Sequence, residues 1–249
     1  NYNTASGWKS LYSNTTGQQN NAFGASALFS NTTGAYNTAA GIESLYSNTT
    51  ASNSTAYGYR SLKANTAAEN SAFGYQALVA NTSGAVNSAF ASYALLSNTT
   101  GWGNTALGKD ALRANTTGTM NTAVGHGALD LNTTASNNTA VGRDSLGANT
   151  TGADNTAVGK SALQASTTGY RNTAVGHSAG MALTTGQNNV AIGKDAMIAL
   201  TTGTGNVAIG KDALDAITTA GNTTAIGTSA LSANTSGTSN TAVGHGTLA

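Results

Sequence analysis

The segment NTAVGHGALDLNTTASN (121–137) is followed directly by NTAVGRDSLGANTTGAD (138–154), and both carry Asn-Thr-Ala-Val-Gly, Leu and Asn-Thr-Thr at the same places. Numbered as positions 1 to 17, this unit begins at residues 3, 20, 37, 54, 70, 87, 104, 121, 138, 155, 172, 189, 206, 223 and 240. Position 3 is always Ala, and position 13 is Thr in every complete unit. Of the fourteen complete units only the one at Ser54 is shorter, with 16 residues, and the fifteenth (240–249) is truncated. Such a short period predicts a repeat solenoid in which each unit forms one coil.

Each coil is predicted to contain one short strand. Positions 1–4 usually read Asn-Thr-Ala-Val, a β-branched run that favours a strand, and the Gly at position 5 ends it. Strands stacked in parallel advance ~4.8 Å per coil, so fifteen coils would extend ~70 Å. The Thr column at position 13 and the Asn column at position 1 would then form ladders that hydrogen-bond along the stack.

Positions 6–12 are predicted to form one or two helical turns. Position 8 is small, position 9 is mostly Leu, and position 12 is apolar in three successive units, as Leu183, Leu200 and Ile217. At 100° per residue these positions share one side, opposite the variable positions 6, 7 and 10. The alternative is an all-β coil of the left-handed β-roll type, with no helical turn.

The composition excludes several classes of partner. Charged residues make up 8% of the chain, against ~25% in ordinary proteins, and the net charge is +1. A net charge this close to zero lacks the excess of Lys and Arg that is typical of proteins that bind nucleic acid. No apolar run approaches the ~20 residues of a membrane span, so we expect no membrane insertion in this segment.

The domain organisation is predicted to be a single repeat domain of fifteen units over 3–249, cut from a longer protein. Fourteen of the fifteen aromatic residues precede residue 103, and fourteen of the nineteen charged residues follow residue 108. The domain therefore divides into an aromatic-rich half (3–103) and a charge-richer half (104–249).

The strand also predicts self-association. Positions 2 and 4 lie on one face and Ala at position 3 on the other, and neither face is charged in any unit. A helical turn can cover only one of them. The other would be a long apolar stripe, which soluble monomers rarely expose. Identical chains would bury it around a common axis, normally with cyclic symmetry.

Two motifs resemble known fibre repeats. NVAIGKDA (189–196 and 206–213) resembles repeats in the heads of trimeric autotransporter adhesins. The longer unit, NTAVG-x-x-AL-x-x-NTTG, is similar to repeats in phage tail fibres and related bacterial surface fibres. The resemblance covers the whole chain and implies a homotrimeric, extracellular fibre segment on a cell surface or virion. It also implies an adhesive role, with a host or prey cell-surface glycan or protein as partner. The 17-residue unit is longer than the adhesin repeats, which puts their left-handed β-roll in doubt for this chain.

No residue pattern indicates catalysis, a cofactor or a metal. The histidines His126, His177 and His245 all occupy position 6, three and four coils apart, so one chain cannot bring them to one metal. Paired residues such as Lys194-Asp195 predict exposed ion pairs worth ~0–1 kcal/mol each. Calcium loops, phosphate loops and Ser-His-acid sets are missing from the sequence. We therefore expect a protein that is not an enzyme.

Aromatic residues give the candidate ligand-binding surface. The helical turn would place seven of them outside: Trp8, Tyr12, Phe29, Tyr46, Tyr59, Tyr75 and Trp102. Exposed rings suit contact with sugars or proteins, although packing against one another or between chains would explain them equally. Four rings at position 4 are expected in the core: Phe23, Tyr57, Phe73 and Phe90.

The sequence thus favours a trimeric fibre segment that presents a receptor-binding surface, with glycans as one class of ligand. A passive spacer without a ligand is one alternative. An ice-binding solenoid is another, because the Thr column at position 13 could order water, although a flat Thr-x-Thr surface is missing.

Overall fold

A computed structural model describes residues 2–248, so Ala249, the last residue of the predicted repeat domain, lies outside it. Each repeat contributes one three-residue strand, and residues 2–248 contain no helix. The strands are β1 (Thr4–Ser6), β2 (Asn21–Phe23), β3 (Thr38–Ala40), β4 (Thr55–Tyr57), β5 (Ser71–Phe73), β6 (Ser88–Phe90), β7 (Thr105–Leu107), β8 (Thr122–Val124), β9 (Thr139–Val141), β10 (Thr156–Val158), β11 (Thr173–Val175), β12 (Val190–Ile192), β13 (Val207–Ile209), β14 (Thr224–Ile226) and β15 (Thr241–Val243).

The chain forms two compact units, with the boundary between Asn121 and Thr122. Unit 1 contains β1–β7 and unit 2 contains β8–β15. Within each unit, successive strands pair in parallel, and equivalent positions face each other, as in Ala157↔Ala174. The 16-residue coil keeps this strand register, since Ala56 pairs with Ala72. The predicted parallel β-solenoid with one coil per repeat is confirmed.

The predicted helical turn over positions 6–12 is wrong. At positions 7 and 9 every residue other than Gly has φ between 49° and 63°, whereas a right-handed helix needs about −63° at each residue. The backbone groups point to neighbouring coils instead of four residues back. Leu28 donates its N–H to the Ser44 carbonyl of the next coil, and Ser26 donates to the Trp8 carbonyl of the previous one. Positions 6–12 are therefore consecutive turns bonded on both sides.

Burial within the coil nevertheless follows the predicted pattern. Ala27 and Leu28, at positions 8 and 9, are fully buried, and so is Ala22 at position 3. Position 12 is buried as well, as Leu200 shows with no exposed surface. The apolar half of each coil interior consists of these small residues and one Leu.

Two asparagine columns fill the polar half of the interior. At position 1, Asn20 donates from Nδ2 to the Gly34 carbonyl (2.8 Å), and its Oδ1 accepts the Asn37 N–H (3.0 Å). At position 12, Asn31 donates from Nδ2 to Asn14 Oδ1 (2.8 Å) and to the same Gly34 carbonyl (3.0 Å). The columns pair side-chain and backbone groups that burial would otherwise leave unsatisfied.

The predicted ladders at positions 1 and 13 are confirmed. Beyond the asparagines, Thr15 Oγ1 donates to the Thr32 carbonyl of the next coil (3.0 Å), and Thr150 donates to Thr167 in the same way (3.0 Å). The hydroxyls at position 13 therefore form hydrogen bonds between successive coils.

The glycines at position 5 allow the closest approach between coils. A Cβ added to Gly142 would lie 2.5 Å from the Gly159 carbonyl oxygen, and φ at Gly142 is +128°. Both conditions exclude an unstrained side chain. Ala91 is the single exception in the sequence and holds φ at +131°.

Candidate binding surfaces

The first candidate surface is the strand face, which we define as the outward side chains of positions 2 and 4. The turns cover the opposite face, so Ala157 at position 3 is fully buried. In unit 2 every residue at position 4 is Val or Ile, and Val158, Val175 and Ile192 keep 36–38% of their surface exposed. The strand face carries no charged residue.

The position-4 aromatics, predicted to be core, lie on this outward face. Phe23, Tyr57 and Phe90 are 46%, 44% and 37% exposed, and Phe73 is half-buried. The prediction is wrong for the single chain because strand alternation places position 4 opposite the inward Ala. The rings instead stack along the unit, with centroids 5.0 Å apart for Tyr57–Phe73 and 4.9 Å for Phe73–Phe90.

The second candidate surface is the turn face of unit 1, defined as the outward side chains of positions 6, 7 and 10. It brings three predicted site residues together at position 10. Tyr12, Phe29 and Tyr46 form a continuous stack, with centroids 5.4 and 5.0 Å apart and interplanar angles of 7° and 4°. Both faces of Phe29 are covered by its neighbours. A sugar ring could therefore stack only on the terminal rings, while the row presents its edges.

Position 6 places three more of the predicted residues on the turn face. Trp8 is 67% exposed, and Lys9 Nζ lies 4.4 Å from its ring centroid. Tyr59 and Tyr75 stack at 5.4 Å, beginning three coils further along. Trp8 stacks on no other ring among residues 2–248, so Lys9 is the neighbour that covers its indole, which remains largely exposed.

Trp102 is not brought to this surface. It occupies position 16, in the loop that precedes the strand, and is 48% exposed. Other exposed apolar residues on this loop side are Tyr36, Val86 and Met120, at position 17, with 61%, 55% and 49% exposure. Sequence reasoning missed them, and the available signal was the free variation of position 17, which is typical of surface positions.

The turn face of unit 2 is charged instead of aromatic. Lys194 and Asp195 pair at 3.0 Å, and Lys211 and Asp212 at 2.6 Å. The lysine side chains are 57% and 58% exposed, which confirms the predicted surface ion pairs. The hydrogen bond from Lys211 to Asp212 raises the pKa of the lysine.

The histidines lie apart on this surface. His126, His177 and His245 are exposed, and His177 Nδ1 lies 3.8 Å from Asp195 Oδ1. Among residues 2–248, no three His, Asp or Glu side chains converge on a point where a metal ion could bind. In the same part of the chain, no helix has the length and apolar character needed to cross a membrane.

Comparison with known proteins adds no relative. No protein-family model matches the sequence, and a search of curated proteins finds no match. The surfaces described above therefore carry the functional argument.

Proposed function

We propose that the chain is a structural segment of an extracellular fibre, in which identical chains associate through their strand faces and expose their turn faces. The observation that carries this proposal is the uncharged strand face, whose apolar side chains remain exposed in the single chain. The number of chains, three, rests on the resemblance to trimeric fibre repeats.

The dimensions of the strand face support self-association. In unit 2, eight strands spaced ~4.8 Å apart give a strip about 34 Å long and about 10 Å wide. Its area of roughly 300 Å² is in the range at which apolar patches on monomers are often interaction sites. Two copies share the same spacing, so the ridges of one fit the grooves of the other. A flat strip that matches itself suits a closed ring of identical chains.

The test is the mass in solution. We expect light scattering to give about 73.5 kDa, three times the 24.5 kDa of one chain. The double variant Val158→Asp, Val175→Asp puts charge on the strand face and should yield folded monomers. Ser161→Asp is the matched control, because position 7 already carries Asp in other coils, and it should leave the oligomer intact. A monomeric native chain would contradict the proposal.

The receptor-binding part of the proposal concerns the turn face of unit 1. Trp8 supports it best, as an exposed indole beside Lys9, where ring stacking and a charged donor can act together. Glycan-array binding that Trp8→Ala abolishes, and that the matched aromatic variant Tyr170→Ala retains, would support a receptor-binding surface. Absence of binding to glycans and to cell-surface proteins would favour the passive spacer.

The ice-binding alternative is weakened by the threonine ladder. The Thr hydroxyls at position 13 donate to carbonyl oxygens of the next coil, as in Thr184 to Thr201 (3.0 Å). They are therefore not free to order water as donors. Measurable thermal hysteresis would revive this alternative.

A further inference from the structure

The stack of coils in unit 1 has one irregular step, between coil 3 (37–53) and coil 4 (54–69). Coil 4 lacks one residue, and the shortening falls in its loop. Asn65 Nδ2 donates to the Ala67 carbonyl, two residues away (2.7 Å), instead of to Asn48 in coil 3. In the preceding coils, by contrast, Asn48 Nδ2 donates to Asn31 Oδ1 (2.9 Å).

The short loop interrupts both ladders at this step. Asn48 Oδ1 is buried and has no hydrogen-bond partner. The Thr ladder connects Thr32 to Thr49 (3.1 Å) and Thr66 to Thr82 (2.9 Å). No hydrogen bond joins Thr49 to Thr66, although both are within the described part of the chain. The loop side of the step therefore lacks two rungs that neighbouring steps possess.

The turn side of the same step carries a clamp of charges. Glu43 of coil 3 pairs with Arg60 at 2.7 Å and with Lys63 at 2.9 Å, both from coil 4. Arg60 also lies over the ring of Tyr59 (4.8 Å), and Lys63 over that of Tyr46 (5.8 Å). These pairs join two coils, whereas Lys194–Asp195 and Lys211–Asp212 in unit 2 join neighbours within one coil.

The surroundings of Glu43 make the clamp sensitive to acid. Hydrogen bonds from Lys63 and then from Arg60 lower the pKa of Glu43 below its ordinary 4.5. Tyr59 and Tyr75 near Arg60 and Tyr46 near Lys63 are the other titratable groups beside the cations, and position 7 of coil 2 is the uncharged Ser26. Because the folded-state pKa is lowered, the clamp contributes its full stability above about pH 4.5 and loses it as the pH falls further.

We propose that the step between coils 3 and 4 is a built-in opening point of unit 1, held shut by the Glu43 clamp, at which coils 1–3 separate as a block from coils 4–7. The stability of a solenoid is approximately a sum over neighbouring coils, so the step with the fewest bonds opens first. The clamp is half-exposed, and salt screens it, so it holds the step only weakly. Opening would remove Trp8 and Tyr12 from the rest of the turn face. This inference does not depend on the proposed fibre function.

Two single-tryptophan variants report the two blocks separately. Trp102→Phe leaves Trp8 as the reporter of coils 1–3, and Trp8→Phe leaves Trp102 as the reporter of coil 6. In urea at pH 7, we expect Trp8 to report an earlier transition than Trp102. Glu43→Gln should lower the Trp8 midpoint and leave the Trp102 midpoint unchanged. Glu69→Gln, the same change at a residue that forms no ion pair among residues 2–248, should move neither.

Proteolysis provides a second measurement on the full chain. Trypsin cuts after Arg60 and Lys63, which lie at the step itself. Glu43→Gln should speed this cleavage about five- to tenfold, since proteolysis follows the population of the open form. Lowering the pH from 5 to 3.5 should lower the Trp8 midpoint of Trp102→Phe, but not that of the same variant with Glu43→Gln added.

A glycine inserted between Ala67 and Ala68 restores the 17-residue coil and should merge the two transitions by restoring both rungs. The proposal is overturned if the two single-tryptophan variants report one common transition, both with Glu43 present and with Glu43→Gln.

Discussion

Units 1 and 2 build the same coil but fill it differently. Unit 1 places stacked aromatic rings on both outward faces and asparagine at position 12 of every coil. Unit 2 carries Val or Ile on the strand face, charges on the turn face, and an apolar run at position 12 formed by Leu183, Leu200 and Ile217. The difference shows that the backbone ladder accommodates aromatic, aliphatic and charged side chains at its outward positions. It also shows that the position-12 column can be polar or apolar, provided that successive coils agree.

Where the residues at position 12 change from asparagine to apolar side chains, buried polar groups lose their hydrogen-bond partners. In unit 1, Asn98 donates to Asn81 and accepts from Asn115, each at 2.8 Å. In unit 2 the asparagine column ends at Asn149, whose Oδ1 has no partner, and Ser166 Oγ beside it is also buried without one. This change of column therefore leaves two buried polar groups unsatisfied.

The largest effect is expected when position 12 of one coil receives the residue type of the other column, Asn among apolar residues or Leu among asparagines. Leu200→Asn loses fully buried apolar surface and places an amide between Leu183 and Ile217, so we expect unfolding free energy to fall by about 2–4 kcal/mol. Asn98→Leu in unit 1 should cost a similar amount, because it leaves Asn81 Oδ1 without its donor and takes one acceptor from Asn115 Nδ2. Urea denaturation followed by circular dichroism measures both.

Leu200→Met is the control and should cost less than about 1.5 kcal/mol. Replacing Leu183, Leu200 and Ile217 together by Asn should cost less than the sum of the three single changes, because the amides can bond to one another. If the three single losses of unfolding free energy add up to that of the triple variant, the residues at position 12 do not stabilise one another.

The glycine column gives a pair of opposite changes, one in each unit. Ala91→Gly relieves a backbone conformation that is almost exclusive to glycine and should stabilise the chain by about 1–2 kcal/mol. Gly142→Ala creates the same strain and drives a methyl group into the Gly159 carbonyl, so it should destabilise by about 2–3 kcal/mol. The midpoint temperature of unfolding should rise for Ala91→Gly and fall for Gly142→Ala. A destabilising Ala91→Gly would show that the loop has adapted to alanine.

Much of the fold could be predicted from the repeat alone. The Ala and Thr columns and the almost unbroken Gly column determine the strand, its end and the ladder, because stacking makes every coil repeat the contacts of its neighbours. Burial of positions 8, 9 and 12 was also predicted correctly, from Leu183, Leu200 and Ile217. These inferences succeeded because they depend on which residue types recur, and not on local backbone conformation.

The turn conformation could not be predicted because it contradicts local preference. Buried leucines such as Leu28 and Leu146 hold φ near +50°, which residues with a Cβ seldom adopt. Hydrogen bonds to adjacent coils help to stabilise this conformation, and a single repeat does not reveal them. The candidate site was predicted in part. Trp8 and the Tyr12 row do lie on the surface, but the ring-to-ring stacking that covers Phe29 appears only when the coil spacing is known.

The column junction in unit 2 should be repairable. Ser166→Asn can donate to Asn149 Oδ1 and to the carbonyl at position 15, as asparagines do in the other coils. Two unsatisfied groups would be reduced to one, and we expect a gain of about 1 kcal/mol. Ser166→Ala is the control, since it removes only the unpaired hydroxyl. A loss of stability in Ser166→Asn would mean that Leu183 leaves no room for the amide.

The smallest expected effect concerns Asp215, which stands at position 10 of unit 2, where unit 1 carries aromatic rings in its first three coils. Its Oδ1 is buried without a partner, and burial, followed by repulsion from Asp212 and Asp195, raises the pKa of the carboxyl above its ordinary 3.8. A raised folded-state pKa means that the folded chain binds this proton more tightly than the unfolded chain. The contribution of Asp215 is therefore most favourable below pH 3.8 and is lost as the pH rises through the raised pKa. Asp215→Asn should stabilise the chain at pH 7 by less than about 1 kcal/mol, because the side chain is only partly withdrawn from water. The gain should disappear near pH 3, and an equal gain at both pH values would show that shape, not charge, is responsible.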